Sequence, residues 1–386
     1  MQAHPVSFRF SIPTRLVFGQ GCSASLAAEV AAFGVQRVLL VYDPGVAAAG
    51  LVDGPRQQLT AAGFAVCEFG DVMPNPPDYC VAEAAALARR EQVQLLVAIG
   101  GGSTIDAAKA INILLTNPGC IADYEGFGKV GKPGLPLIAL PTTAGTASEV
   151  TAVTVITNTA GKRKMVIGGA HVAAGLALAD PELTKGMPPA VTAATGMDAL
   201  THAIEAYLSR AAMPPSDVMA LEAVRLISQH LPLAYASGTD ADARAGMLLG
   251  SVMAGFAFNS AVLGLVHSLA HPLSAHFGLP HGVANAICLP HVLAFNAPAV
   301  PERMRALAQA MGLDTVEQTD EQLSHGVVEA IHTLNRQLGM PGLAACGVGP
   351  ESYGLLADDA LQEASTPFNP RTASREDLMA MLAAAA

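Results

Sequence analysis

Several things are scarce in this 386-residue chain, and each scarcity removes a class of function. Charged residues make up only 14% and hydrophobic residues 51%, a balance that suits a packed core and argues against disorder. Basic residues are outnumbered 21 to 32, and the longest basic run is the three residues Lys162–Arg163–Lys164. A nucleic-acid binder would carry a basic patch, so no nucleic-acid partner is expected. The six cysteines (Cys22, Cys67, Cys80, Cys120, Cys288, Cys346) contain no CxxC pair, which excludes a recognisable disulfide framework or thiolate zinc site. Arg9, Pro13 and Arg15 stand where a secretion signal would need an apolar run, so a reduced, cytoplasmic setting is expected. Internal repeats are lacking. One apolar stretch, residues 246–266, is long enough to span a bilayer. Its small residues, Asn259 and Ser260, and its lack of a basic flank read instead as a buried helix pair, with no membrane partner.

What is present falls into two textures. The first half alternates strand and helix signals: "RVLLVYD", "QQLTAAGFAVCEFG", "AEAAALARREQ", "VQLLVAIGGGSTIDAAKAINILL", "LPLIALPTTAGTASE", then a hairpin "AVTVIT"/"KRKMVIG" and a last strand in "AGLALADPEL". Such βαβ rhythm predicts a Rossmann-like parallel sheet covered by helices on both faces. From about Pro188 the periodicity is helical throughout. The expected division is an α/β domain over 1–185 and an all-α domain over 186–386.

Two loops in the first half are candidate phosphate cradles. "AIGGGSTIDAAK" sets glycines and a serine between a buried strand and a helix N-terminus, where backbone N–H groups and the helix dipole favour an anion. "PTTAGTASEVT" offers Thr142, Thr143, Thr146 and Ser148 around Gly145 after another strand. Two such loops at one carboxyl edge suggest a dinucleotide. Asp43, closing "RVLLVYD", can accept from ribose hydroxyls and repel a 2′-phosphate, or simply open the turn "DPG".

The second half holds a crowd of histidines. "GLVHSLAHPLSAHFGLPHG" contains His267, His271, His276 and His281, and His291 follows. Upstream, "GMDALTHAIEAY" spaces Asp198 and His202 four apart, on one helix face. One Asp and three His form an N/O donor set suited to Fe(II) or Zn(II). Spacing leaves two assignments open: His267 with His271, or His267 with His281 while His271 faces substrate. His276, His291 and His171 read as structural.

These motifs, with "LADPEL", "LPHGVANAICLPHVLAFN" and "TPFNPR", resemble the iron-containing (group III) alcohol dehydrogenases, from about Phe18 to the C-terminal segment. The resemblance implies an α/β dinucleotide domain followed by an all-helical metal domain, the dehydroquinate synthase-like fold, with the active site in the cleft between them. It implies metal ligands at Asp198, His202, His267 and His281, and a proton-relay or substrate-contact role for His271. It implies an NAD site at Asp43, Asn75, Gly101, Gly102, Ser103, Asp106, Thr142, Thr143, Thr146, Thr151, Lys164 and Leu183, with Asp43 selecting NAD over NADP. Phe258, Val153 and Phe368 are the expected substrate-pocket residues. Ala147 and Phe368 depart from the family pattern, which often has Gly or another small residue there. The implied reaction is reversible hydride transfer between a short-chain alcohol or diol and NAD, aided by Fe(II) or another divalent metal, in a homodimer or higher homo-oligomer. Two rivals are a metal- and NAD-dependent lyase of the dehydroquinate synthase type, disfavoured by the missing basic cluster, and a non-catalytic metal or nucleotide binder.

Overall fold

A computed structural model describes residues 7–161 and 163–386. The chain divides into two compact units, one spanning Ile12–Met187 and the other built mainly from Pro188–Ala386. Lys162 of the basic run lies outside the described residues.

The first unit contains, in order, β1 Arg15–Phe18, α1 Leu26–Ala31, β2 Arg37–Tyr42, α2 Pro44–Ala48, α3 Asp53–Ala61, β3 Ala65–Phe69, α4 Asp78–Arg90, β4 Leu95–Gly100, α5 Gly102–Thr116, β5 Gly126–Phe127, β6 Leu137–Pro141, β7 Val153–Asn158, β8 Arg163–Gly168 and β9 Leu176–Ala179. Six strands form one parallel sheet in the order β1-β9-β6-β4-β2-β3. The hairpin β7–β8 pairs antiparallel and with β5 makes a separate small sheet.

Strands β4, β6 and β9 are buried along their whole length, which explains their continuous apolar runs: a parallel strand with helices on both faces has no wet side. Successive residues of β2 still separate by face. Val38 and Leu40 join Leu95, Val97 and Ile99 under α1 and α3, while Leu39 and Val41 join Leu96 and Ala98 under α4 and α5. From β2 the chain steps outward to β3, then returns to β4 and continues the other way through β6. The order therefore reverses between β2 and β4, where an open α/β sheet leaves a crevice beyond its carboxyl ends. Asp43 and the glycines of "GGGS" occupy those ends.

The second unit is helical among the described residues: α6 Pro189–Leu208, α7 Pro214–Ala236, α8 Ala241–Ala261, α9 Leu265–Phe277, α10 His281–Asn296, α11 Pro301–Ala310, α12 Asp320–Gln337, α13 Tyr353–Gln362 and α14 Arg375–Ala384. Helices α6, α7 and α8 pack on one another, and α10 lies against both α6 and α9. The apolar stretch at 246–266 is the end of α8, a break, and the start of α9, with the two helices bent by 103°. Among the described residues no single helix is long and apolar enough to cross a membrane. Val262, at the break, takes φ 62°, a left-handed conformation costly for a β-branched residue. That break re-aims the chain so that α9 presents His267 to α6.

Candidate metal centre and nucleotide loops

The metal-ligand candidates come from three helices of the second unit. Asp198 and His202 project from one face of α6, His267 from the first turn of α9, and His281 from the first residue of α10. Nε2 of His202, His267 and His281 lie 3.8, 3.8 and 3.7 Å from the same oxygen, Oδ1 of Asp198. The tightest grouping is Asp198, His267 and His281, whose donor atoms all fall within 4.8 Å of one another. Donors about 2.1 Å from a tetrahedral cation stand roughly 3.4 Å apart, so the three separations from Asp198 Oδ1 are near those of a metal site, while His202 falls outside the 4.8 Å grouping.

This donor set is rich in acceptor atoms and poor in hydrogen-bond donors. The only described side-chain donor to it is the amide of Asn285, whose Nδ2 reaches Asp198 Oδ1 at 2.7 Å, His281 Nε2 at 3.2 Å and His267 Nε2 at 3.3 Å. An amide has two hydrogens for these three acceptors. Asn285 Oδ1 and His202 Nδ1 are buried without a described partner. A divalent cation would satisfy the converging lone pairs, and one carboxylate with three imidazoles is a donor set for Fe(II) or Zn(II).

Glu205 orients His267. It lies one turn beyond His202 on α6, is buried, and takes Nδ1 of His267 on Oε2 at 2.6 Å and the Val266 N–H on Oε1 at 2.6 Å. With Glu205 ionised, Nδ1 carries the proton and Nε2 keeps its lone pair toward Asp198, where the Asn285 amide N–H also points at it. Burial pushes the Glu205 carboxyl up to about 7, against the backbone N–H bonds it receives. Burial, with His202 nearby, holds His267 well below the usual histidine range, so the ring is neutral as a ligand requires. Burial also opposes ionisation of Asp198, but its imidazole neighbours, His202 first among them, and the N–H of the Asn285 amide prevail and hold it below the usual carboxylate range.

His271 stands one turn further along α9. Its ring stacks on His281, centroids 5.3 Å apart, but its Nδ1 turns to Glu363 Oε2 at 2.9 Å. The two members of the i, i+4 pair thus have different carboxylate partners. Phe258 of α8 stacks on His202 with centroids 4.4 Å apart. Phe368 offers its carbonyl to the Arg210 N–H and lines a narrow void with Ile204, Glu205 and Gly264. His276 pairs at the surface with Asp359, and His291 stacks edge-on against His332. His171 is exposed.

In the first unit the two candidate loops touch. Thr142 N–H donates to the Gly100 carbonyl at 3.0 Å. A Cβ at Gly101 would press on Thr143 at 3.1 Å, and one at Gly102 would meet Thr146 at 2.6 Å, so close approach of the loops bears most heavily on Gly102. Ala147 takes φ 52°, the left-handed region in which glycine is at ease. Asp43 has both carboxylate oxygens engaged, capping α2 through the Val46 N–H and accepting from Thr104 Oγ1 at 2.9 Å. Asn75, with φ 52°, links three elements: its N–H reaches Ser103 Oγ, its Oδ1 takes Lys164 Nζ at 2.5 Å, and its carbonyl accepts from Thr157. Asp106 holds Ser148 Oγ and the Val155 N–H. Leu183 packs at the edge of the sheet core, just after β9.

Sequence reasoning missed Lys109, Glu205, Asn285 and Glu363. Lys109, fully buried, donates to Ser148 Oγ and to the carbonyls of Thr151 and Val153, pinning the second loop from beneath. Burial lowers its pKa to about 8, opposed by Asp106 and Glu149. Spacing could have flagged Glu205, three after His202, and Asn285, four after His281. Glu363, 92 residues from His271, left no local signal.

Comparison with known proteins agrees with this geometry. Residues 13–181 match the profile described as iron-containing alcohol dehydrogenase, and residues 192–386 the C-terminal profile of the Fe-containing alcohol dehydrogenase family. The chain is 38% identical to the NAD-dependent methanol dehydrogenase of Bacillus methanolicus over 370 residues, covering 96% of this chain and 97% of that one. It is 40% identical to the lactaldehyde reductase of Escherichia coli K12, covering 94% and 95%. The crystal structure of a 1,3-propanediol oxidoreductase superposes with a TM-score of 0.96 at 39% identity, covering 98% of this chain and all of that one.

Proposed function

The chain belongs to the iron-containing alcohol dehydrogenase family, and from that premise we propose that it catalyses reversible hydride transfer between a short-chain alcohol or diol and NAD. It is an oxidoreductase with NAD and iron as cofactors. The observation that carries the proposal is the convergence of three histidine Nε2 atoms on one buried carboxylate oxygen.

Asp198, His202, His267 and His281 are the proposed holders of the cation. Fe(II), or Zn(II) or another divalent ion in its place, would supply Lewis acidity that lowers the pKa of an alcohol hydroxyl and polarises a carbonyl. Glu205 keeps the His267 ring in the ligating tautomer. Asn285 orients the shared Asp198 oxygen. His271 takes the hydroxyl proton and returns it to solvent.

In the other unit, Gly101, Gly102 and Ser103 open α5 with free N–H groups for a pyrophosphate, while Thr142, Thr143 and Thr146 close the second side. Asp43 disfavours a 2′-phosphate. Asn75, Asp106, Thr151, Lys164 and Leu183 complete the proposed nucleotide site, with Lys109 fixing the loop that bears Thr151. Phe258, Val153 and Phe368 are the proposed substrate-facing residues, Phe258 by virtue of its stacking on His202.

The reading carries with it a reducing, cytoplasmic setting, which the six free cysteines suit, and a homodimer, which light scattering would measure. The activity test is a panel of short alcohols and diols with NAD, and of aldehydes with NADH, on protein reconstituted anaerobically with Fe(II). The expected result is net NADH formation with at least one alcohol. NAD binding with no net NADH across the panel would overturn the proposal and favour a lyase or a simple binder.

A further inference from the structure

We propose that Glu363 is a positioning residue for the reaction: it fixes the His271 ring as the Nδ1–H tautomer and so keeps the Nε2 lone pair ready for the alcohol proton. The inference rests on the reading of His271 as the proton acceptor.

Glu363 Oε2 lies 2.9 Å from His271 Nδ1, and among the described residues this is the one side-chain bond its carboxylate makes. Free imidazole populates both neutral tautomers, and only the one with a bare Nε2 can accept at that atom. A carboxylate on Nδ1 selects that form, because the other would set lone pairs against each other.

The carboxylate is built into place. Glu363 is the first residue after α13, and its N–H closes that helix on the Ala360 carbonyl. Two residues later Ser365 Oγ lies 2.7 Å from Ser268 Oγ, and Thr366 Oγ1 lies within hydrogen-bond reach of Ser268 Oγ at 2.9 Å and the Ala360 carbonyl at 2.6 Å. Ser268 is fully buried on α9, three residues before His271, on the same face. The segment that carries the carboxylate is therefore tied by hydroxyls to the helix that carries the ring. Both side chains remain about a quarter to a third exposed, at 26% and 30%.

In the alcohol-oxidising direction the alcohol O–H bond breaks and its proton joins His271 Nε2. The electron pair left on oxygen forms the carbonyl as the C–H hydride passes to NAD. The imidazolium then returns its proton to water, and Glu363 restores the starting tautomer.

The test compares Glu363→Gln, Glu363→Asp and His271→Ala with wild type, reconstituted with Fe(II) for kinetics and with Zn(II) for metal content and spectra. Glu363→Gln can donate or accept at Nδ1 and so no longer selects a tautomer. It should lose about tenfold to a hundredfold in kcat, less than the roughly 10²–10⁴-fold of general acid–base catalysis as a whole because His271 itself stays in place, with KM for NAD and zinc content unchanged. Glu363→Asp, which keeps the charge, should recover part of the loss. Long-range ¹H–¹⁵N spectra of histidine-labelled protein should show His271 as Nδ1–H in wild type and as a mixture in Glu363→Gln. An unchanged tautomer, an unchanged kcat, or loss of zinc in Glu363→Gln would overturn the assignment. If His271→Ala lowers kcat while Glu363→Gln does not, only the Glu363 assignment fails. If His271→Ala leaves kcat intact, the reading of His271 fails with it.

Discussion

Glu205 holds His267 by two bonds at once: one carboxylate oxygen takes the ring Nδ1 at 2.6 Å and the other takes the backbone N–H of Val266 at 2.6 Å. The first turn of α9 and the ring it carries are thus set by a single side chain from α6. Neutralising Glu205 should loosen the ring without emptying the core. Glu205→Gln is expected to weaken metal retention by about tenfold to a hundredfold, the usual cost of losing a second-layer partner. Competition with a chelator, followed by elemental analysis, measures it. Retention equal to wild type would show that Glu205 only caps the helix.

Asp43 has two separable roles. As N-cap of α2 it contributes on the order of 1 kcal/mol, and in the proposed cofactor site it would repel a 2′-phosphate as an anion at the carboxyl end of β2. Asp43→Ala should lower thermal stability modestly and raise the NADP-to-NAD ratio of kcat/KM by at least about tenfold, equivalent to roughly 1.4 kcal/mol. A stability loss with no change in that ratio would leave Asp43 as a cap alone.

Gly102 faces Thr146 so closely that an added Cβ would sit 2.6 Å from its Cγ2. Thr146 is branched at Cβ and cannot swing aside freely. Gly102→Ala should drive the two loops apart at an overpacking cost on the order of 1–3 kcal/mol and weaken NADH binding by about tenfold or more. Fluorescence titration with NADH reads the change. Wild-type affinity would mean that these loops do not hold the cofactor.

The partly buried His291, packed edge-on against His332, is expected to make the second unit acid-sensitive. Burial, then the neighbouring His332, lowers its pKa from the ordinary 6.5 to about 4. Between those values the unfolded chain binds more protons than the folded one. Stability is therefore fully present above pH 6.5 and falls as pH drops toward 4. At pH 5 the loss from this group is bounded at about 2 kcal/mol and is smaller once solvent screening of the partly exposed ring is counted. His291→Asn should flatten the dependence of the melting temperature between pH 7 and pH 5. An equally steep dependence in the variant would place the acid sensitivity elsewhere.

The sheet was legible because its central strands are buried on both faces and appear as unbroken apolar runs flanked by glycine turns. Strand β1 was not: its four residues, Arg15–Phe18, sit at the sheet edge with Arg15 exposed, and carry no burial pattern strong enough to read. At the metal centre, residue type and i, i+4 spacing found the histidines but could not separate His267 from His271. Their separation depends on Glu205 and Glu363, carboxylates 62 and 92 residues away in sequence from the rings they bind. Local patterns report which face a residue occupies, whereas a histidine's tautomer and partner are tertiary facts. Lys109 was hidden for the opposite reason: a lysine in a helix ordinarily reads as solvated, yet this one is fully buried beneath the loop it pins.

The account rests on a cation held by Asp198, His202, His267 and His281, and one measurement addresses that most directly. Wild type and His267→Ala are reconstituted anaerobically with Fe(II), freed of excess metal, and assayed together for iron content and alcohol-dependent NADH formation. The account predicts about one iron per chain and turnover in wild type, with both lost in His267→Ala while the helical content is retained. Iron content and turnover in His267→Ala equal to wild type would contradict it.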